Sequence, residues 1–296
     1  DAAGWATGLG GLLMLLLLVA WTAVAGIGLV AMRILGAVKR DLPANFFGIC
    51  TGRSTSGRAL DRRVLTDWLY GWLNELAGLA PEEPLTFAHL AQHRFPQLDD
   101  AHATGIRLRM VTSNLTQRVP HLLPFDDEVF LYNEAELARF FPGAVIDYLA
   151  RAGDAHPLAA RIAPPAGYRF LPAGDALPVI VATRMSLSFP VLLAAVPLYG
   201  LGPAVQRALG ESPAGDATRY RLAAGDLQRH WLSDGGICSN FPIHFFDSWA
   251  PAHPTFGVNL ASIEADQLAA RLGEGEAAAR FKASARMIEP QAARPV

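Results

Sequence analysis

From Ala2 to Met32 the chain carries no charged residue, and Arg33, Lys39 and Arg40 then follow within eight positions. A helix rising about 1.5 Å per residue needs roughly 20 residues to cross a hydrocarbon core. The run "GGLLMLLLLVAWTAVAGIGLVAM" therefore predicts one membrane-spanning helix over residues 9–36, after a short flank at 1–8. Ala23, Ala25, Gly26 and Gly28 would let a second helix approach its later half closely. The basic cluster that follows assigns residues 37–296 to the cytoplasmic side. The apolar region is too long for a signal peptide, and no basic region precedes it.

Beyond the span the periods change. Asp41–Gly57 is a Pro-, Gly- and Ser-containing connector. Leu60, Val64, Leu65, Trp68, Leu69, Trp72, Leu73 and Leu76 recur at helical spacing, with Gly78 and Pro81 as stops and the tryptophans expected in the core. "PLTFAHLAQ" predicts a short helix capped by Thr86. In "GIRLRMVTSNLT", Ile106, Leu108 and Met110 alternate with Arg107 and Arg109, as in a half-buried strand. "EVFLY" is a second strand, and Asn133 caps a helix through "EAELARFF". Residues 151–175 read as a loop, "LPVIVATRM" as a buried strand, "QRHWLSDGG" as a strand ending in a turn, and "TFGVNLAS" as a further strand. Strands alternating with helices predict an α/β domain with a largely parallel sheet.

Composition narrows the function. Charged residues make up 18% of the chain, which fits a membrane segment or a large core. The net charge is −2 and the basic residues are scattered, so no nucleic-acid surface is expected. Cys50 and Cys238 stand far apart and form no disulfide framework. The eight histidines follow no metal-ligand spacing, and no metal or cofactor is expected. Asn114-Leu115-Thr116 is a glycosylation sequon that would stay bare on a cytoplasmic domain.

The stretch "HWLSDGGICSNFP" concentrates the chemistry. Asp234 falls at the C-terminal end of a strand, the edge of an α/β sheet where ligands bind. Gly235 and Gly236 permit a sharp turn close to a ligand, and Asn240 can cap a following helix. A carboxylate fixed there can take a proton from a nearby hydroxyl. Asp-Gly-Gly is also ordinary turn chemistry.

"ATRMSLSFPVLLAAVPL" followed by "LSDGG" resembles the patatin-like phospholipases, in a bacterial, membrane-associated branch. "FFGICTG", "LTDWLYGWLNELAG", "RLRMVTSNLTQRVPHLLPF" and "FFPGAVIDYLA" share the likeness, which runs from about Asn45 to Leu260. Its most specific part pairs Arg184, Ser186 and Pro190 with Asp234, Gly235 and Gly236. The resemblance implies a three-layer α/β/α domain with a mostly parallel central sheet, incomplete here. It implies a serine acyl hydrolase with a Ser–Asp dyad, membrane lipid as substrate, and Asp234 as the general base. Arg184 would meet a lipid head group or an internal acid, and Ser186 and Ser188 would satisfy backbone groups at a helix start.

The sequence departs from the family pattern at the nucleophile. G-x-S-x-G is absent, and "GRSTSG" has the wrong spacing around Ser54 and Ser56. The nucleophile and the glycine-rich oxyanion turn are therefore expected upstream of Asp1, and the chain alone is expected to be inactive. The rivals are a membrane-anchored pseudoenzyme or interaction domain, in which the turn survives as structure only, and a hydrolase using a serine of this chain.

Overall fold

The computed structural model describes residues 2–53, 60–94, 105–211, 220–239 and 257. Its helices are α1 Ala2–Ala44, α2 Leu65–Ala77, α3 Phe87–Gln92, α4 Glu134–Leu137, α5 Gly143–Asp154, α6 Val179–Ser186 and α7 Pro203–Glu211. Its strands are β1 Gly48–Cys50, β2 Met110–Asn114, β3 Val119–Leu123, β4 Phe130–Asn133, β5 Ile162–Ala163, β6 Tyr168–Phe170, β7 Val191–Leu193, β8 Val196–Leu201, β9 Tyr220–Arg221 and β10 Leu227–Asp234.

The apolar helix forms as the sequence requires and continues through the basic cluster to Ala44, because Pro43 falls only in its last turn. Its segment Met14–Ala44 holds a stretch of mean hydropathy 2.4, none of it buried, long and apolar enough to cross a membrane. The expected connector at Asp41–Gly57 thus begins as helix and then supplies β1, which pairs in parallel with β7.

The main sheet has six strands in the order β3-β2-β10-β8-β4-β6. Every pairing in it is antiparallel, which replaces the largely parallel sheet expected from the order of elements. The reason is local: only Leu115–Arg118 separates β2 from β3, a connection long enough for a hairpin and too short for a crossover. Among the described residues parallel pairing occurs only in the small ribbons β1–β7 and β5–β9.

Both sheet faces are covered. Leu123, Phe130, Tyr132, Val196, Leu198 and Leu232 belong to a core shared with Val145, Ile146 and Leu149 of α5 and with Val181, Ala182 and Met185 of α6. Leu131, Phe170, Tyr199 and Leu201 pack on the other face with Ile162, Val205 and Leu222. All six residues of β8 are accordingly buried, the pattern of a strand apolar on both sides.

Several expectations shift with this packing. "LPVIVATRM" is the helix α6, entered at Pro178, and not a strand. A short run buried almost throughout has no period from which to tell helix from strand. The strand expected from Ile106 begins only at Met110. Residues 151–175 contain the end of α5 as well as β5 and β6.

The helix expected from Leu60 begins at Leu65 and stops at Gly78, in the left-handed region at φ 66°. Trp68 and Trp72 lie outside the core, about half exposed and stacked with ring centroids 6.0 Å apart. The inward face of α2 instead carries Asp67, which accepts from the Asp61 N–H at 2.8 Å, and Asn74, which bonds Ala80, Glu83 and Leu85. The Asp67 Oδ1 also lies 3.4 Å from Arg53 Nε, and with these polar groups inward the tryptophans lie on the outer side of the helix. The caps at Thr86 and Asn133 form as read, receiving the N–H groups of His89 at 3.2 Å and Glu136 at 3.1 Å.

Candidate active site

β10 lies between β2 and β8 and delivers Asp234 at its end, opposite Thr112. A single 3-10 turn, Gly235–Ile237, follows at once. The Asp234 Oδ1 accepts the Gly236 N–H at 2.6 Å, so the carboxylate caps its own turn. A Cβ at Gly235 would lie 2.3 Å from the Val111 carbonyl oxygen. Glycine is thus required there by the close approach of β2.

The turn is fastened to the segment after α6. The Asp234 N–H donates to the Ser188 carbonyl at 3.0 Å, and the Ser233 hydroxyl donates to the same oxygen at 2.7 Å. The Thr112 hydroxyl donates to the Ser233 carbonyl at 2.8 Å. Two stretches about 45 residues apart in sequence therefore meet at one carbonyl.

Beneath that junction Arg184 is wholly buried. Its Nη1 donates to the Ser188 hydroxyl at 2.6 Å, and that hydroxyl donates to the Arg184 carbonyl at 2.7 Å. Its Nη2 donates to the carbonyls of Thr51 at 3.0 Å and Ala194 at 3.1 Å, and its Nε to Thr51 at 3.3 Å. The guanidinium carbon lies 5.6 Å from the centre of the Phe140 ring. Burial pulls its pKa down to about 10, still charged at neutral pH. Among the described residues it forms no ion pair with a carboxylate, and four of its five N–H donors bond within the protein. In this arrangement Arg184 is a brace for three chain segments, the structural one of the roles foreseen for it.

Ser186 is the last residue of α6 and is half-buried, while Ser188 satisfies backbone groups at the end of that helix rather than at its start. Asn240, Ser54, Ser56 and the strand expected at "TFGVNLAS" lie outside the described residues.

Asp234 is half-buried and makes no ion pair among the described residues. It lines neither the cavity of about 720 Å³ around Glu134, Asp154, His156 and Arg169, nor that of about 400 Å³ around His121, Glu128 and His230, nor that of about 350 Å³ around Phe87 and Arg109. The second of these contains a polar cluster that spacing did not reveal. The Asn114 Nδ2 lies 3.1 Å from His121 Nε2, 3.1 Å from His230 Nδ1 and 3.0 Å from Gln117 Oε1. Its Oδ1 accepts from the N–H groups of Thr116 and Gln117. Burial, and then the neighbouring His121, lower the His230 pKa. With Asn114 buried and both ends of its amide engaged, the sequon is closed in this fold. Among the described residues no group of three or more histidine, cysteine or acidic side chains could hold a metal ion.

No family model matches this sequence, and no solved structure matches it. The chain is 37% identical over 262 residues to the protein described as "RpoH suppressor" from Rhizobium meliloti (strain 1021), an alignment covering 79% of this chain and 40% of that protein. The chain thus spans about two fifths of the length of that curated relative.

Proposed function

We propose that this chain is part of a membrane-anchored lipid acyl hydrolase of the patatin-like kind, facing the cytoplasm, with Asp234 as general base of a Ser–Asp dyad. The observation that carries the reading is the junction at Ser188, where the two most specific parts of the sequence resemblance meet around one carbonyl oxygen. The carboxylate has one oxygen committed to Gly236, and the other can take a proton. In the reaction the Asp234 carboxylate removes the hydroxyl proton of a serine as its oxygen attacks the ester carbonyl. The proton then passes to the departing alcohol, leaving an acyl-serine. Water, deprotonated by the same carboxylate, releases the fatty acid and restores the hydroxyl. The serine belongs to a G-x-S-x-G segment, a motif these 296 residues do not contain.

The test is fluorophosphonate labelling of the full-length protein with mapping of the adduct, together with esterase assays of Asp234→Asn. Labelling of a G-x-S-x-G serine and loss of turnover in the variant support the reading. An adduct on Ser54 or Ser56 removes it in favour of a serine within this chain. The second reading is a membrane-anchored pseudoenzyme or interaction domain. It is favoured by the Asp234–Gly236 bond and by the absence of Asp234 from the three cavities described, and it is upheld if the full-length protein neither labels nor turns over esters.

A further inference from the structure

The parallel ribbon β1–β7 presents large apolar side chains to the outside. Ile49 is 70% exposed, Leu192 55% and Val191 53%; Phe189, two residues before β7, is 58% exposed, and Phe47, just before β1, is exposed as well. Both strands come from stretches without charge: residues 42–52 hold none, and neither do residues 185–206. Water-facing edge strands ordinarily carry charges that keep them from pairing with other chains, and contiguous exposed apolar patches mark contact surfaces. The ribbon starts four residues after α1 ends, joined to it by the Phe47 N–H donating to the Leu42 carbonyl at 2.7 Å.

We infer that the β1–β7 ribbon is a second membrane contact, dipping Ile49, Phe189 and Leu192 into the head-group layer of the bilayer that α1 spans. The inference rests on the reading of α1 as membrane-spanning. Continuity with that helix favours a lipid surface over a protein partner. From Gly36 to Ala44 the helix rises about 12 Å, while the interfacial layer of one leaflet is roughly 5–8 Å deep. A modest tilt of α1 brings the ribbon to the surface. Arg33, Lys39 and Arg40 lie between span and ribbon, where anionic head groups attract them. The ribbon's unpaired backbone edges exclude the hydrocarbon interior, so the contact is an interfacial one made by side chains. It sets the Asp234 turn beside the bilayer, because Ser188, which holds that turn, immediately precedes Phe189.

The experiment uses the whole chain in phosphatidylcholine–phosphatidylglycerol vesicles. Single cysteines are placed at Ile49, Phe189 or Leu192 in a Cys50→Ser, Cys238→Ser background and labelled with a nitrobenzoxadiazole dye. Val24→Cys in α1 and Arg63→Cys, whose side chain is 89% exposed, serve as references. Nitroxide-labelled lipid is expected to quench the ribbon dyes several-fold more than the Arg63 dye, with protection from aqueous iodide. Ribbon dyes open to iodide overturn the inference. Dyes shielded from both quenchers overturn it too, and point to a protein covering the ribbon. Either result with the Val24 dye still lipid-quenched leaves the spanning helix intact. A Val24 dye untouched by the nitroxide lipid removes the span and the inference together.

Discussion

The main-chain N–H of Asp234 donates to the carbonyl oxygen of Ser188 at 3.0 Å. This bond ties the only carboxylate of the β10 turn to the loop leaving α6, and Arg184 braces that loop from below through the Ser188 hydroxyl. The loop that holds the Asp234 main chain is thus itself braced by a buried arginine.

Replacing Asp234 by Asn keeps the oxygen that accepts the Gly236 N–H and removes only the basicity. The variant of the full-length protein is expected to melt as the parent does and to lose about 10²–10⁴-fold in esterase turnover. Turnover near the parent level, measured on a soluble ester, would take Asp234 out of the mechanism.

Gly235→Ala introduces a methyl group 2.3 Å from the Val111 carbonyl oxygen. Both the strand and the turn must give way, an overpacking cost of about 1–3 kcal/mol. Urea unfolding followed by circular dichroism checks this, and an unchanged midpoint would refute the close approach.

Arg184→Met deprives the carbonyls of Thr51 and Ala194 and the hydroxyl of Ser188 of their donor. Buried acceptors left without partners cost about 1–3 kcal/mol each, so a loss of about 3 kcal/mol or more is expected in the same measurement. Ser188→Ala removes one of these bonds together with the hydroxyl's own bond to the Arg184 carbonyl, and is expected to cost about 2 kcal/mol. Equal losses from the two changes would mean that the bonds from Arg184 to Thr51 and Ala194 contribute nothing.

The histidine cluster predicts a pH dependence. Burial, then His121, lower the His230 pKa below its usual 6.5, so the fold favours the neutral ring. The stability this provides is fully present above about pH 6.5 and is lost as pH falls below it, because the unfolded chain takes up the proton first. The facing groups are Asn114, His121 and, bonded to His121, Glu128. The melting temperature is expected to fall between pH 7.5 and 5.5, and His230→Phe is expected to flatten that fall. Asn114 has three acceptors near two amide protons, so it keeps partners in the variant. An unaltered slope in His230→Phe would assign the pH dependence elsewhere.

Sequence alone determined the elements whose signals are local. The long apolar helix is legible because 31 consecutive uncharged residues leave a helix no charged face. The caps at Thr86 and Asn133, the stop at Gly78 and the strand–turn at Asp234 were legible because each depends on a side chain acting within a few residues of itself. Tertiary structure decided the rest. Val179–Ser186 is buried almost all round, so its apolar run fitted a strand as well as the helix it forms. Trp68 and Trp72 lie on the outer side of their helix, with Asp67 and Asn74 inward. The sheet is antiparallel because the order of elements does not specify which strand finds which neighbour. The bracing of Asp234 by Ser188 and Arg184, and the meeting of Asn114, His121 and His230, join residues up to 116 positions apart. Such contacts leave no periodic trace in the chain, since only packing brings their partners within hydrogen-bond reach.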